Sequence, residues 1–378
     1  MRAGVIGVGF IGMAHVEALR RLGVDIAGVV GSTPDRARLK ADPAGIDVYE
    51  SVDDMVKDDG VDVVHVTSPN YAHAEQVRAC LAAGKHVVCE KPLALTVDDT
   101  ADLLSRAQAS GLVHAVCFNI RFYPLNHQAM AMVRRGEIGE PRLITGSYHQ
   151  DWLARETDWN WRLQPEEAGE LRSVADIGSH WLDLTRFISG LMVEEVMADL
   201  HTLVPVRRHP AGPVESFAAV AETDDLVEEW MTSDDAAGIL LRYESGARGA
   251  VTISQVSTGR KNSVRYEING SDATLAWHSE EPDVLWIGRR GRPNEVLHRD
   301  PTMSHPEASR LMAYPVAHVE GFPDTFRGLF SQVYADIARG GPSDEPTYPT
   351  FADGHDAMLV TDAVARSSQA QRWVSVER

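Results

Sequence analysis

Over the first 120 or so residues, short apolar runs alternate with amphipathic stretches. Residues 3–8, 25–30, 61–67, 86–89 and 113–118 are apolar enough to be strands buried on both faces, the habit of a parallel sheet. Residues 15–22, 51–57, 72–83 and 96–110 between them carry helical spacing. Thr96, followed by Asp98 and Asp99, makes a helix start with an N-cap and an acidic first turn. The alternation predicts an α/β fold whose N-terminal part is a Rossmann-type, doubly wound parallel sheet.

Beyond Phe122 the pattern changes to longer segments of alternating apolar residues broken by Gly and Asn. Residues 239–243 and 250–255, joined by Glu244-Ser245-Gly246, predict one hairpin; residues 264–268 and 273–277, joined through Asn269-Gly270-Ser271-Asp272, predict another. The C-terminal part is therefore expected to be an α+β domain with a large, mostly antiparallel sheet. Helical spacing returns at 353–369, and the polar, acidic stretch 204–235 reads as a long surface loop. A chain of 378 residues is long enough for two cores. The division is set at 1–121 for a dinucleotide-binding domain and 122–378 for a domain of substrate binding and oligomerisation.

Charge narrows the function classes. Lys plus Arg number 36 against 55 Asp plus Glu, a formal charge of −19, with no basic block to interrupt the excess. Such a surface repels nucleic acid and anionic membranes. Met1 and Arg2 lead straight into an apolar strand, and no apolar run approaches membrane-spanning length, so a cytoplasmic protein is expected. Three cysteines, Cys80, Cys89 and Cys117, form no CxxC pair and no disulfide framework.

Gly7-Val8-Gly9-Phe10-Ile11-Gly12 directly follows an apolar strand and precedes a helix. In that context Gly7 permits a tight turn, Gly9 lets the backbone approach a pyrophosphate, Gly12 allows close helix packing, and the helix N-terminus offers N–H groups to phosphates. Glycines also gather in strand-to-helix turns that bind nothing. The second strand runs into Gly31, Ser32, Thr33, Pro34, Asp35 and Arg36, with Gly31 where an acid would read a free ribose hydroxyl. Ser32, Thr33 and Arg36 suit a 2′-phosphate, which favours NADP among NAD(P) cofactors. The alternatives are an NAD enzyme with Asp35 reaching back, and a plain surface turn.

Val61 to Asn70, His73, and the run Ala83-Gly84-Lys85-His86-Val87-Val88-Cys89-Glu90-Lys91-Pro92-Leu93 closely resemble the Gfo/Idh/MocA oxidoreductase family, which includes glucose-fructose oxidoreductase and inositol dehydrogenases. The resemblance extends from the glycine turn to Gly354. It implies a cis Lys91–Pro92 bond, cofactor contacts from Phe10, Ile11, Ser68, Pro69, Asn70, His73, Glu90 and Lys91, and a homodimer or homotetramer. Lys91 ends a buried strand of a doubly wound sheet, where residues face the ligand crevice, so it is not read as an ordinary solvated lysine.

In Ala175 to Asp183 the residues Asp176, His180 and Asp183 would share one helix face. A neutral imidazole can accept the proton of a substrate hydroxyl, which makes His180 the candidate general base, with Asp176 or Asp183 to orient it. Lys91 would stabilise developing alkoxide. The family motif implies Lys91, Asp176 and His180 as the catalytic set; Ala168-Gly169, followed by Glu170-Leu171-Arg172, departs from the pair often found upstream. The competing readings of the helix are a solvated His180–Asp176 pair and a metal site, the latter without further ligands at suitable spacing, so no metal is expected.

Arg121, Tyr148 and Trp161 join Lys91, Asp176 and His180 as candidate substrate contacts, since aromatic faces among polar groups suit a polyol ring. Asn119 or Arg121 reads equally well as a brace of the interdomain joint, and each tryptophan alone as a core or subunit-interface anchor. His318 is added by resemblance to sugar-acting relatives. The expected activity is hydride transfer between a nicotinamide cofactor and a secondary alcohol or ketone of a sugar, glycoside or cyclitol. The alternatives are net hydrolysis or epimerisation through a transient keto-sugar with retained cofactor, and a catalytically inactive nucleotide sensor.

Overall fold

The computed structural model describes residues 1–211 and 226–378. The chain forms two compact units, Met1–Asn119 with Pro323–Met358, and Ile120–Phe322 with Leu359–Arg378. The first unit thus regains a later segment that the sequence division leaves in the C-terminal part. The Phe322–Arg339 helix buries Phe326, Leu329, Phe330 and Val333 along one stripe, a pattern that announces a helix but not the sheet it covers.

Strands β1 (Arg2–Ile6), β2 (Asp25–Val30), β3 (Val63–Val66), β4 (His86–Cys89) and β5 (His114–Val116) form a parallel sheet in the order β2-β1-β3-β4-β5. All four residues of β3 are buried, as the continuous apolar run requires. The Val97–Ser110 helix begins where Thr96 caps the Asp99 amide at 3.0 Å and ends at Gly111 in the left-handed region, φ 67°. Its buried residues Thr100, Leu103 and Ala107 follow helical spacing. The C-terminal helix spans Phe351–Ala370, and a Cβ on Gly354 would lie 2.7 Å from Val116, so glycine there lets the helix lie close against β5.

In the second unit, β6 (Pro141–His149), β7 (Val193–His201), β10 (Ala236–Tyr243), β11 (Arg248–Ser254), β12 (Ser263–Gly270), β13 (Ala273–His278), β14 (Val284–Arg289), β15 (Glu295–His298) and β16 (Val374–Ser375) build one sheet. Its order is β15-β14-β13-β12-β6-β11-β10-β7-β16, and only β6–β11 is parallel among these pairs. Both predicted hairpins are present, with Gly246 supplying a φ of 89° at the first turn. The helices Pro124–Arg134 and Ser179–Ser189 cover one face: Trp181 Nε1 donates to the Arg265 carbonyl at 2.8 Å above Gly146, where a Cβ would approach that indole nitrogen to 2.6 Å.

The expected loop 204–235 is not all loop. β8 (Val206–Pro210) and β9 (Leu226–Trp230) pair as an antiparallel ribbon, and residues 212–225 lie outside the described residues. The polar composition misleads because Arg207 is fully buried with its charge answered inside the protein. Among the described residues no helix is long and apolar enough to cross a membrane.

Candidate active site

In the first unit the strand order reverses between β1 and β3, and the glycine turn lies at the carboxyl end of β1. Gly7 takes φ 101°, and a Cβ there would sit 2.6 Å from the Thr67 carbonyl at the end of β3. A Cβ on Gly12 would approach the Gly7 carbonyl to 2.0 Å. At Gly9 a Cβ would meet nothing within 4 Å, so the turn is open where a pyrophosphate would lie against the backbone. Gly9 is also the N-cap of the Phe10–Arg21 helix, with no side-chain cap and no acid in the first turn, which leaves the helix N-terminus to an anion. Phe10 is exposed and Ile11 half-buried beside it. These features fit a dinucleotide.

After β2, Ser32, Thr33 and Arg36 are exposed, and the Thr33 hydroxyl caps the Arg36 amide at 3.3 Å. Asp35 is paired with Arg38 at 3.0 Å. Gly31 packs on the following helix, where a Cβ would come within 2.9 Å of Ala37.

The turns after β3 and β4 are stitched together by His73. Its ring is fully buried, with Nδ1 2.8 Å from the Pro92 carbonyl and Nε2 2.9 Å from the Ser68 carbonyl. Burial pushes this imidazole down, while the two carbonyls and Glu90 oppose that shift. The Ser68 hydroxyl donates to Gln76 at 2.6 Å, and Pro69 and Asn70 lead into the helix that carries His73. The Lys91–Pro92 bond is cis. Glu90 is buried and accepts the Lys91 amide at 3.2 Å and His15 Nε2 at 3.1 Å. Burial raises its carboxyl, but His15, Lys91 and Cys117 outweigh that and hold it at about 2. Lys85, from the same motif, is tied at the opposite end of β4 to the Asp58 and Val61 carbonyls, both at 2.8 Å.

In the second unit a single π-helical turn, Val174–Gly178, carries Asp176 and runs into the helix bearing His180. The wider turn alters the simple helical face expected for Asp176, His180 and Asp183. Asp176 is held by Arg162 Nε at 3.2 Å and Gln255 Nε2 at 2.8 Å. Asp183 is instead in a buried, bidentate pair with Arg121, whose guanidinium also lies 4.9 Å over the Phe187 ring. Arg121 is thus paired with Asp183 within this unit. The turn itself is anchored by Asp234, which accepts the amides of Arg172 at 2.7 Å and Val174 at 2.9 Å and the Ser173 hydroxyl.

His180 is buried, with the Tyr148 ring centred 6.4 Å away. Burial pushes the Tyr148 phenol well up, so it stays protonated and donates to Asn262 at 2.7 Å. Asn262 also accepts Gln150 at 2.9 Å, and Gln150 in turn accepts Trp152 Nε1 at 2.7 Å. Arg162 stacks 4.4 Å over Trp161, making a bed of rings and amides beside Asp176. His318 is on an exposed turn of this unit, with Nδ1 3.2 Å from the Val316 carbonyl. Sequence reasoning missed Gln255 and Asn262, which stand at the ends of β11 and β12 and gain meaning only from the sheet register that gathers them.

Residues 1–118 match the oxidoreductase family with an NAD-binding Rossmann fold, and residues 126–276 match the GFO/IDH/MocA C-terminal domain. Levoglucosan dehydrogenase from Pseudarthrobacter phenanthrenivorans is 29% identical over 100% of this chain and 98% of its own length. Myo-inositol 2-dehydrogenase from Thermotoga maritima is 27% identical over 100% and 99%. Among solved structures, levoglucosan dehydrogenase in complex with NADH and L-sorbose superposes with a TM-score of 0.89 at 28% identity, covering 100% of this chain and 99% of that one. An oxidoreductase domain protein from Kribbella flavida does so with a TM-score of 0.88 at 30% identity, covering 100% and 99%. The chain thus carries both domains of one family in order, and it belongs to the Gfo/Idh/MocA family of NAD-binding oxidoreductases.

Proposed function

We propose that this enzyme oxidises a secondary hydroxyl of a sugar, anhydrosugar, glycoside or cyclitol, with Lys91, Asp176 and His180 serving one reaction. The observation that carries the reading is the Asp176 carboxylate, fixed by Arg162 and Gln255 four residues before a buried His180, in a bed of aromatic rings and amides. A polyol presents apolar C–H faces to such rings and hydroxyls to such amides. The relatives named for levoglucosan and myo-inositol support this substrate class.

Gly7, Gly9, Phe10, Ile11 and Gly12 would hold the pyrophosphate, and the segments Ser68–Asn70 and Glu90–Lys91 would border the rest of the cofactor. When bound, the nicotinamide takes up or gives back the hydride. His180 removes the hydroxyl proton, Asp176 favours the protonated imidazole that results, and Lys91 donates a hydrogen bond to the oxygen as it gains alkoxide character.

Use of NADP is part of the proposal. Gly31 stands in place of an acid, Ser32 and Arg36 are exposed, and Asp35 is occupied by Arg38. The ratio of kcat/KM for the two cofactors checks it, and a large NAD preference overturns it. Self-association as a dimer or tetramer is also proposed, through the sheet face that exposes Leu143 and Leu240; light scattering of the purified protein tests it.

The deciding experiment is a panel of sugars, anhydrosugars, glycosides and inositols followed by absorbance of the reduced cofactor. Stoichiometric reduction with one class is the expected result. Product formation without net reduction would favour retained-cofactor hydrolysis or epimerisation, and complete inactivity a sensor. Gly9→Leu is expected to weaken NADH binding at least on the order of 10-fold in a fluorescence titration while leaving stability intact, because the side chain meets solvent space and not protein.

A further inference from the structure

A buried line of polar groups in the first unit is not used by the reaction above. The Tyr334 hydroxyl lies 3.0 Å from His65 Nε2, His65 Nδ1 lies 3.0 Å from His15 Nδ1, and His15 Nε2 lies 3.1 Å from Glu90 Oε1. His15 and His65 are completely buried, walled by Phe326 and Phe330 with ring centroids 4.7 to 5.3 Å away. Two imidazoles and an ionised carboxylate inside an apolar wall are costly unless every donor meets an acceptor.

The contacts admit one arrangement that satisfies all of them with uncharged rings. A carboxylate only accepts, so His15 Nε2 carries the hydrogen it gives to Glu90. His15 Nδ1 is then an acceptor, which requires His65 to carry its hydrogen on Nδ1. His65 Nε2 in turn accepts, and the Tyr334 hydroxyl donates. The hydrogen bonds therefore all point one way, from Tyr334 to Glu90, and the other oxygen of Glu90 receives the backbone N–H of Lys91.

We infer that Tyr334, His65 and His15 form a directional hydrogen-bond relay that fixes the Glu90 carboxylate and, through it, the backbone from which Lys91 acts. His15 and His65 are thus positioning residues for the reaction, and the inference rests on the assignment of Lys91 as a catalytic residue. A competing use of the same atoms is a metal ion, since His15, Glu90 and Cys117 bring ligand atoms within 4.8 Å of one another. The hydrogen-bond relay is favoured because the His15 and Glu90 atoms already meet directly and His15 Nδ1 has its own partner in His65.

The test has two arms on the full chain. Long-range proton–nitrogen NMR of histidine-labelled protein is expected to find His65 as the Nδ1–H tautomer and His15 as the Nε2–H tautomer at neutral pH. The reverse tautomers, or a doubly protonated His15, would overturn the relay. In the kinetic arm, His65→Asn keeps a donor near the Nδ1 position, whereas the similarly sized His65→Leu does not. His65→Leu is expected to lower kcat on the order of 10-fold to 100-fold with little change in cofactor KM, and His65→Asn to restore most of it. Equal losses in both variants would reduce His65 to packing, and no loss in either would remove it from the reaction. Lys91→Ala run beside them separates the two ideas: an active Lys91→Ala enzyme refutes the assignment of Lys91, while the tautomers still judge the relay. A stoichiometric metal released by Cys117→Ser would also overturn it.

Discussion

Replacing His180 by alanine is expected to lower turnover by about 10^2-fold to 10^4-fold while leaving the NADH dissociation constant unchanged. The hydroxyl of a polyol does not ionise at neutral pH, so the hydride can leave carbon only as the proton leaves oxygen, and an imidazole is suited to take it. His180 emerges from a π-helical turn anchored by Asp234, so its backbone is fixed independently of its own side chain. Stopped-flow turnover and a cofactor titration on the same variant make the measurement; wild-type turnover would remove His180 from the mechanism. Asp176→Asn keeps the shape that Arg162 and Gln255 grip and removes the charge. It should lower kcat with KM little altered.

Acid is the second large effect. Burial drives His65 well below its ordinary range, with His15 adding to the shift. Burial holds His114 at about 4 against the opposing charge of Asp353, and holds His127 at about 3 with Arg310, Arg121 and Arg134 adding to it. Each folded-state value lies below that of the unfolded chain. Below pH about 6.5 the unfolded chain therefore binds protons that the folded one refuses, so stability is full above that pH and is lost progressively towards each folded value. Between pH 6.5 and 4.5 His114 and His127 each remove about 2 kcal/mol, or about 4 kcal/mol together, a large share of the stability of many domains, and His65 acts in the same direction. Urea midpoints across this range are expected to fall steeply. His127→Phe should remove one proton from that slope: its ring lies between Phe122 and Phe187, centroids 5.1 and 5.0 Å away, with neither nitrogen hydrogen-bonded among the described residues. An unchanged slope in that variant would refute the assignment.

Local rules made much of this legible. The glycine turn could be read because its three glycines do three separable steric jobs in six residues of chain, and the hairpins because alternation and turn chemistry agree. The ribbon β8–β9 escaped because a buried arginine looks like a surface residue in a linear pattern, and only Asp235 and three distant carbonyls make it tolerable inside. The pairing of Arg121 with Asp183 joins positions 62 residues apart, so helical spacing alone left Asp183 a possible partner of His180. His65 did leave a trace, as the one ionisable residue within an otherwise apolar strand. Its partner Tyr334 lies 269 residues away, and nothing in the spacing announces it.

Arg207 reaches the carbonyls of Leu153, Arg155 and Asp158 from the ribbon. All three acceptors are main-chain atoms, so this grip is indifferent to which side chains the segment carries. The segment next to Trp152 and Trp161 can therefore exchange residues while keeping its course, and on the proposed reading of Trp161 as a substrate contact this makes it a natural place for selection, or a designer, to change which sugar the enzyme prefers.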